Sequence, residues 1–462
     1  MTDRMIFDGS NVLPDVQVLK SLEAGSGTDS AAFTGGRSLQ LYSLYNSVIN
    51  AATNMKEFKL FNMLSKQKVG STVHNWVRRD SHGAGYGGVV DENSFSAETN
   101  QTLQNFTATM KTISRKRGVT FQMAMSQTIE DPKAAEKLSG ILEVMEIAEH
   151  LLYNGDNAIV SQEFDGLKKL IPSTNVIDIR GKQISDTEGE AAIETGARII
   201  RELGRGAVGD TLLGSPSVMQ DLQNLQKDRT RYPIIMQGNG TAPYNTIIDQ
   251  YRTPFGSFAM HDDLFINDVV NPVVSTLPGK PSVPVLGSIT SAGTGSQFAA
   301  GDDGTYYYQV QGVDNTGGGD VVTSAVVTVA AGESVTIPIT TPAGVVPQGY
   351  AIYRSKKNAT SAADCRLIGR VANTAFPAGT TVNFVDDNSN LPGCHDVYLL
   401  TTNPAYEALK WLDFIEISEF PLGTINQAVY AFLVIMVGAL GVYVPKRHVR
   451  IKNVEPIGLS WY

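Results

Sequence analysis

The stretch DPKAAEKLSGILEVMEIAEHLLYNGD, residues 131–156, has the clearest periodicity in the chain. Asp131 is suited to the N-cap of a helix, and Pro132 to its first turn, where a missing backbone N–H is tolerated. Gly155 stands where a left-handed C-cap belongs. We therefore predict a helix over 132–154, about 34 Å long at 1.5 Å per residue. Its apolar face consists of Leu138, Ile141, Leu142, Met145, Ala148 and Leu152, and its charged face of Glu136, Lys137, Glu143, Glu146 and His150.

The segment HLLYNGDNAIVSQEFDGLKKLI, residues 150–171, concentrates carboxylates around glycines. Asp156, Glu163 and Asp165 raise the question of a metal site or an acid–base pair. An EF-hand loop beginning at Asp156 would need oxygen ligands at its third and fifth positions, which are alanine and valine here. Carboxylates two residues apart are common on one strand face, and no histidine or lysine partner is implied for Glu163 and Asp165. We therefore expect no metal, cofactor or catalytic role for this segment.

The same segment is interpreted as a structural joint at the end of the helix. Gly155 ends the helix, Asp156 turns the chain together with Asn157, and Gly166 permits a close backbone passage. The apolar residues expected to re-enter a core after the turn are Phe164, Leu167 and Leu170.

A long hairpin is predicted upstream of this helix, within a region of strands over 58–128. The letters FTATMK, residues 106–111, alternate apolar and polar side chains, and STVHNWVRR, residues 71–79, supplies the facing strand. Between them, residues 80–101 form a polar loop of a length that is uncommon in compact domains. We expect this loop to lie on another molecule. The candidate contact residues are Trp76, Arg78, Arg79, Tyr86, Phe95 and Phe106.

The remaining chain predicts an α+β domain interrupted by an all-β module. An extended arm over residues 1–37 and a helix over 39–55 come first, and short strands alternate with amphipathic helices between 175 and 268. From 276 to 400 only short strands between turn clusters are found, which is typical of a β-sandwich. Mixed character returns after residue 400, so the module is interpreted as an insertion.

The segment AVYAFLVIMVGALGVYV, residues 428–444, is uncharged and approaches the length of a membrane span. It is rich in β-branched residues and contains Gly438 and Gly441 before Pro445. Two buried strands joined near the glycines account for this composition better than a lipid-facing helix. We therefore predict strands here and no membrane partner.

Composition and motifs narrow the function classes further. The 462 residues carry a net charge of −9, which disfavours a protein that grips nucleic-acid phosphates. Two cysteines, Cys365 and Cys394, cannot form a disulfide framework, and whether they pair stays open. No phosphate-binding loop, dinucleotide fingerprint or zinc-protease motif occurs. The acidic cluster His261, Asp262 and Asp263 lacks a second group of ligands, so a metal site is disfavoured there too.

The order of these parts resembles the major capsid proteins of tailed bacteriophages, which share the Hong Kong 97-type fold. The resemblance is carried by the arm, the glycine-tipped hairpin, the helix ending LLYNGD (151–156) with EFDGLKKLI (163–171), and the closing strands YAFLVIMVGALGVYVPKRHVRIKNVEP (430–456). In that family the hairpin is the E-loop, the long helix belongs to the peripheral domain, and an axial domain follows. The letters YYYQVQGVDNTGGGD (306–320) and GYAIYRSKK (349–357) are similar to immunoglobulin or fibronectin type III domains.

The resemblance implies a domain division and a set of partners. A structural, non-enzymatic shell protein is implied, forming pentamers and hexamers around double-stranded DNA in a virion assembled in the bacterial cytoplasm. Scaffolding, portal and decoration proteins are its implied partners, and the inserted module is expected on the outer surface. The expected divisions are arm and first helix 1–65, E-loop with flanking strands 66–130, spine helix 131–165, axial and peripheral parts 166–275, inserted module 276–400, and return 401–462.

The sequence differs from some relatives of the resembled family in two respects, and three alternative functions are left open. No lysine occurs between Lys68 and Lys111, so the isopeptide crosslinking of some relatives is expected to be absent. A long charged scaffolding segment does not precede the arm, so a separate scaffold is expected. The rivals are an encapsulin-like nanocompartment with protein cargo, an enzyme with a substrate-binding sandwich, and a surface adhesin, which the acidic, non-apolar beginning of the sequence disfavours.

Overall fold

The structure is a computed structural model, and it describes residues 55–83, 88–126, 130–229, 249–267, 271–374, 376–423 and 428–458. The predicted arm over 1–37 and nearly all of the predicted helix over 39–55 lie outside the described residues. Tyr86, one of the predicted contact residues, also lies outside them.

The described helices and strands are numbered in chain order. The helices are α1 Lys59–Met63, α2 Phe121–Met125, α3 Pro132–Asn154, α4 Leu167–Leu170, α5 Thr187–Leu203 and α6 Pro216–Arg229. The strands are β1 Ser65–Lys68, β2 Val73–Ser81, β3 Thr102–Thr109, β4 Lys111–Thr120, β5 Val176–Lys182, β6 Thr211–Gly214, β7 Gln250–Thr253, β8 Gly256–Asp262, β9 Val285–Leu286, β10 Thr290–Gly293, β11 Gly304–Tyr306, β12 Tyr308–Asp314, β13 Gly317–Thr323, β14 Val327–Val329, β15 Ser334–Thr340, β16 Gly349–Arg354, β17 Arg366–Ala372, β18 Thr381–Asp386, β19 His395–Leu400, β20 Leu409–Leu422, β21 Val429–Val442 and β22 Val449–Val454.

The long helix α3, called the spine helix below, begins and ends where the sequence predicts. The Asp131 side chain accepts the Lys133 N–H at 3.0 Å, as an N-cap should. Two predictions about this helix are wrong. Gly155 has extended geometry (φ −60°, ψ 138°), in which its carbonyl accepts the Gly166 N–H, and Leu138 is 47% exposed. His150, placed on the charged face by the sequence, is half-buried, and burial of its ring lowers its pKa to about 4.

A four-stranded sheet of order β1-β20-β21-β4 packs against the spine helix. Its central strand β21 is one continuous strand, so the prediction of two strands joined near the glycines is wrong. The reason is packing, since a Cβ at Gly438 would lie 2.4 Å from Trp411 Cζ2; the glycine makes room for that buried indole. Among the described residues, no helix is both long enough and apolar enough to cross a bilayer.

A six-stranded sheet of order β5-β22-β19-β6-β8-β7 forms the second part of the host domain. Helix α5 buries its apolar face on this sheet, in a core that includes Ile193, Ile200 and Val449. The expected strands and helices between 176 and 262 are therefore present. Strand β19 belongs to this sheet although the sequence places it at the end of the inserted module, because its apolar side chains at 397 and 399 complete that core.

The inserted module is an all-β sandwich whose strands run from β9 to β18. Its main sheets have the orders β10-β15-β18 and β13-β12-β16-β17, with β9 pairing with β15. Tyr308, Ile337 and Tyr350 lie in the core between them. The buried Arg354 guanidinium donates to Asp386 Oδ2 at 2.6 Å. The module is thus a sandwich with its own core, while its immunoglobulin type stays a prediction.

The sequence predicts only strands between residues 58 and 128, but the described part of this region also contains two helices. Helices α1 and α2 interrupt it, and each is only five residues long. Such short helices offer too few turns for an apolar period to appear in the sequence. Both are held by contacts from elsewhere: Glu149 of the spine helix binds the start of α1, and the Phe121 N–H of α2 donates to the Ala428 carbonyl at 2.9 Å.

Candidate functional site

The hairpin β2–β3 forms a separate two-stranded sheet beside the host domain. Antiparallel pairing sets Trp76 opposite Phe106, Val77 opposite Asn105 and Arg79 opposite Leu103. Because side chains alternate across a strand, the hairpin has two faces of different composition. We call the face with Trp76 the inner face and the face with Val77 the outer face.

The inner face packs on the hairpin's own subunit. The Trp76 ring lies 5.0 Å from the Tyr443 ring and 6.0 Å from the Phe106 ring, and the Arg78 guanidinium lies 4.2 Å above Phe106. The Tyr443 hydroxyl donates to Gln67 Oε1 at 3.0 Å. Three predicted contact residues, Trp76, Arg78 and Phe106, therefore fix the angle of the hairpin within one subunit.

The outer face and the hairpin tip carry exposed apolar side chains. Val77 is 64% exposed and Leu103 50%, with the exposed Arg79 beside them. Towards the tip, Phe95 is fully exposed. Sequence reasoning selected Arg79 and Phe95 but missed Val77 and Leu103. The alternation in VHNWVRR that marks the inner face also marks the outer one, so the signal for Val77 was present in the sequence.

A second exposed apolar surface lies where α2 meets the neighbouring strands. Phe121 stacks on Tyr430 with ring centroids 6.0 Å apart, and the Lys133 ammonium lies 3.5 Å from the Tyr430 ring centroid. We call this surface the peripheral tip. Its exposed apolar residues are Phe121, Met123, Met125, Phe420, Leu422 and Tyr430.

Residues 155–166 are called the joint below. Their carboxylates all accept hydrogen bonds from protein donors. Asp156 Oδ1 accepts from the Lys169 ammonium at 2.5 Å and the Ala158 N–H at 2.9 Å. Asp165 Oδ1 accepts from Lys169 and from a backbone N–H of the turn, both at 2.9 Å. Glu163 Oε2 accepts the Asp156 N–H at 3.0 Å. These carboxylates close the turn.

The joint is closed by direct contact between two stretches of backbone. The Gly166 N–H donates to the Gly155 carbonyl at 2.9 Å. A Cβ at Gly166 would lie 2.6 Å from the Leu151 carbonyl oxygen, and one at Gly155 would lie 2.2 Å from the Phe164 carbonyl oxygen. Backbone cannot move aside as a side chain can, so both positions require glycine. Phe164 and Leu167 are buried just beyond, as predicted.

The joint also binds the inserted sandwich, which sequence reasoning missed. Arg370 of β17 donates to both Glu163 oxygens, at 3.0 and 3.2 Å, and to the Asn154 carbonyl at 3.2 Å. The Ser161 N–H donates to Gln348 Oε1 at 2.9 Å. The local sequence gives no indication of these contacts, because the residues that make them lie about two hundred positions apart.

A second attachment holds the sandwich to the six-stranded sheet. Arg180, at the end of β5, donates to the Gln297 carbonyl at 2.8 Å and lies 3.7 Å from Asp302. Asn453 Nδ2 donates to the Ser389 carbonyl at 3.0 Å and to Asp178 Oδ1 at 2.7 Å. The sandwich is therefore tied to the host at two separated points.

Among the described residues, no group of three or more His, Cys, Asp or Glu side chains is arranged to hold a metal ion. Ser215 Oγ lies 2.5 Å from His395 Nδ1, which resembles a nucleophile–base pair. Ser215 is only 4% exposed, however, and burial lowers the His395 pKa to about 4, so the pair is placed to join β6 to β19 rather than to meet a substrate. Cys365 and Cys394 are both free thiols.

The sequence is similar from end to end to phage capsid proteins. It is 24% identical over 460 residues to the major capsid proteins of Staphylococcus phage S25-3 and Staphylococcus phage K, covering 96% of this chain and 96% of each relative. The putative major capsid protein of Enterococcus phage phiEF24C is 24% identical over 456 residues, covering 96% of this chain and 95% of that relative. No protein-family model matches the chain.

Solved structures give weaker similarities. The chain aligns with Microbacterium phage Oxtober96 at TM-score 0.47 and 6% identity, covering 92% of this chain and 99% of that one. It aligns with the SrpI encapsulin of Synechococcus elongatus PCC 7942 at TM-score 0.41 and 8% identity, covering 93% and 96%. The similarity to capsid proteins therefore rests on the sequence relatives and on the order of the parts described above.

The described residues form an α+β fold. The hairpin, the spine helix, the inserted sandwich and the closing strands follow one another in the order that the resemblance to the Hong Kong 97-type fold predicts. The chain's sequence relatives are major capsid proteins of staphylococcal and enterococcal phages.

We predict that Gly166→Ala destabilises the subunit while Asp156→Ala leaves any ion binding unchanged. The added methyl must displace three backbone atoms lying 2.6 to 2.9 Å away, which costs about 1–3 kcal/mol. Urea denaturation of the soluble subunit measures the loss. Gly423→Ala is the matched control, because nothing lies within 4 Å of its added Cβ. A Gly166→Ala protein as stable as the control, or a metal affinity abolished by Asp156→Ala, would contradict the structural role of the joint.

We predict that Arg370→Met loosens the sandwich from the joint. The ion pair with Glu163 is only 19% and 17% exposed, so its loss should reduce the free energy of unfolding by about 1–3 kcal/mol. Arg198→Met is the control, since Arg198 and Glu202 form an exposed pair worth at most about 0.5 kcal/mol. Limited proteolysis at the module boundaries provides a second readout. Equal effects of the two variants would show that the contact does not hold the module.

Proposed function

We propose that this protein is a major capsid protein that assembles into the icosahedral shell of a tailed bacteriophage and encloses its double-stranded DNA. The carrying observation is the similarity to named major capsid proteins over 96% of both chains, which leaves no large part of the relatives unmatched. The role is structural rather than enzymatic. An encapsulin-like compartment is the second candidate, but the curated sequence relatives are phage proteins.

The hairpin is proposed to reach over a neighbouring subunit. An isolated two-stranded hairpin is marginally stable in water, and this one also exposes Val77 and Leu103 on its outer face. Its inner face is already occupied by Tyr443 of its own subunit, so the outer face and the tip are left for a partner. Arg79 and the fully exposed Phe95 extend this surface towards the tip. Burial of these side chains against a second copy would stabilise both.

The peripheral tip is proposed as a second contact between copies. Its apolar side chains are bordered by charges of both signs, such as Lys133 and the Lys137–Glu419 pair. A surface with both signs can meet a copy of itself without net repulsion. Contacts that are weak singly become strong when closed symmetry repeats them around pentamers and hexamers. The shell is therefore held by noncovalent contacts, in keeping with the absence of lysine between Lys68 and Lys111.

The remaining partners follow from charge and from the position of the sandwich. A net charge of −9 suits a wall that encloses DNA without binding it by sequence. The sandwich, tied at the joint and at Arg180, is proposed to face outward, where decoration proteins could bind it. Assembly in the bacterial cytoplasm, with separate scaffolding and portal proteins, is part of the same proposal.

Negative-stain microscopy of the expressed chain, alone and with a scaffolding protein of the same phage, tests the function. We expect capsomers or closed shells from the native chain. Val77→Asp should reduce shell yield at least about tenfold, because a charge would be buried at each hairpin contact, while the subunit stays folded. Val345→Asp, at an exposed valine of the sandwich, should assemble normally.

Two outcomes would contradict these proposals separately. Discrete monomers of the native chain under all assembly conditions would overturn the shell function. Normal shells from Val77→Asp would leave the shell function standing but overturn the role given to the outer face of the hairpin.

A further inference from the structure

Helix α1 is capped by a carboxyl group from a different helix. Glu149 of the spine helix is fully buried, and its Oε1 and Oε2 accept the N–H groups of Leu60 at 2.7 Å and Phe61 at 2.9 Å. The first turn of a helix leaves such N–H groups without partners, and Phe58, at the N-cap of α1, provides no side-chain cap. Glu149 therefore fixes the start of α1 on the spine helix.

A second buried carboxyl group completes the cluster. Asp263, which follows β8 and is 1% exposed, accepts the Phe265 N–H at 2.9 Å and the Tyr153 hydroxyl at 2.7 Å. It lies beside the Glu149 carboxyl group in the same buried cluster. Two neighbouring buried carboxylates repel each other, and burial itself disfavours the charged form of each. The pair is therefore favoured to hold one proton.

The surroundings favour keeping that proton. Burial raises the pKa of Glu149 well above its usual range, and the neighbouring Asp263 raises it further. Burial likewise raises the pKa of Asp263. The titratable group in contact with the pair is Tyr153 on the spine helix, and Tyr398 of β19 packs on Tyr153.

We propose that Glu149 and Asp263 form a proton-dependent latch that holds α1, and with it the chain leading into the hairpin, on the spine helix. The link to the hairpin is short, because β1 begins two residues after α1 and β2 follows at Val73. The Phe58 ring stacks on Phe265, 5.5 Å away, so Asp263 and α1 are also joined by packing. Loss of the shared proton places two negative charges in one buried site, and the attachment of α1 weakens.

The pH dependence has a definite sign. The folded chain holds the shared proton more tightly than the unfolded chain does, since the folded carboxyl pKa is raised. The stabilisation is fully present below the pKa of an unfolded carboxyl group. It is lost as the pH rises through the raised pKa of the folded pair. Alkaline conditions are thus expected to release α1.

Hydrogen exchange of the full chain, read by mass spectrometry, tests the latch without requiring shell formation. From about pH 6 to about pH 9, protection of the peptide containing α1 should fall about tenfold or more beyond the intrinsic change in exchange rate. Asp263→Asn should reduce this fall markedly, because it removes the neighbouring carboxyl that raises the Glu149 pKa and supplies an amide that can donate to the Glu149 carboxylate. Peptides from α5 serve as the internal control.

A matched variant separates the latch from general charge effects. Asp262→Asn changes an exposed carboxylate beside Asp263 and should keep the native pH dependence. Glu149→Gln should give lower protection with a smaller pH dependence, since one acceptor for α1 is lost and Asp263 no longer has a carboxyl neighbour. It replaces Asp263→Asn if that variant fails to fold. Native protection that does not change up to pH 9, or equal behaviour of the Asp262→Asn and Asp263→Asn proteins, would overturn the latch.

Discussion

The contact of backbone with backbone at the end of the spine helix is the constraint on which the rest of the subunit depends. Gly155 and Gly166 bring two chain segments within hydrogen-bonding distance, with no space for a Cβ on either side. That closure turns Glu163 outward to meet Arg370 of the inserted sandwich. It also sends the chain into β5, where Arg180 makes the second attachment. One tight turn therefore positions both the host sheets and the inserted module.

The hairpin follows a different principle, since its two faces have separate tasks. The aromatic inner face sets the direction of the hairpin by packing Trp76 on Tyr443 within the subunit. The outer face, with Val77 and Leu103 exposed, is left without a described partner in its own chain. A hairpin whose angle is fixed before assembly loses less conformational freedom when it binds a neighbouring subunit. Its limited apolar area therefore contributes more to the binding free energy.

Local rules predicted what local interactions determine. The bounds of the spine helix follow from Asp131, Pro132 and the apolar period, and the hairpin follows from alternation in two short stretches. Features that depend on distant partners were missed. Gly438 lies within one strand because the Trp411 ring occupies the space beside it, and the buried Glu149 serves N–H groups 88 and 89 residues away. No window of sequence around either residue contains its partner.

The same distinction explains why the carboxylates of the joint looked like a site and Glu149 did not. The joint contains three carboxylates that are close in sequence, Asp156, Glu163 and Asp165. They bind Lys169, Arg370 and backbone N–H groups, so their role is structural. Glu149 and Asp263 are far apart in sequence, and neither the helix around Glu149 nor the acidic cluster that contains Asp263 indicates that the two meet. Burial brings them together, no cation of the described residues forms an ion pair with either, and a buried carboxyl pair of this kind is favoured to hold a proton. The pH-sensitive carboxyl pair is therefore formed by long-range packing, and it lies outside the segment that contains the joint carboxylates.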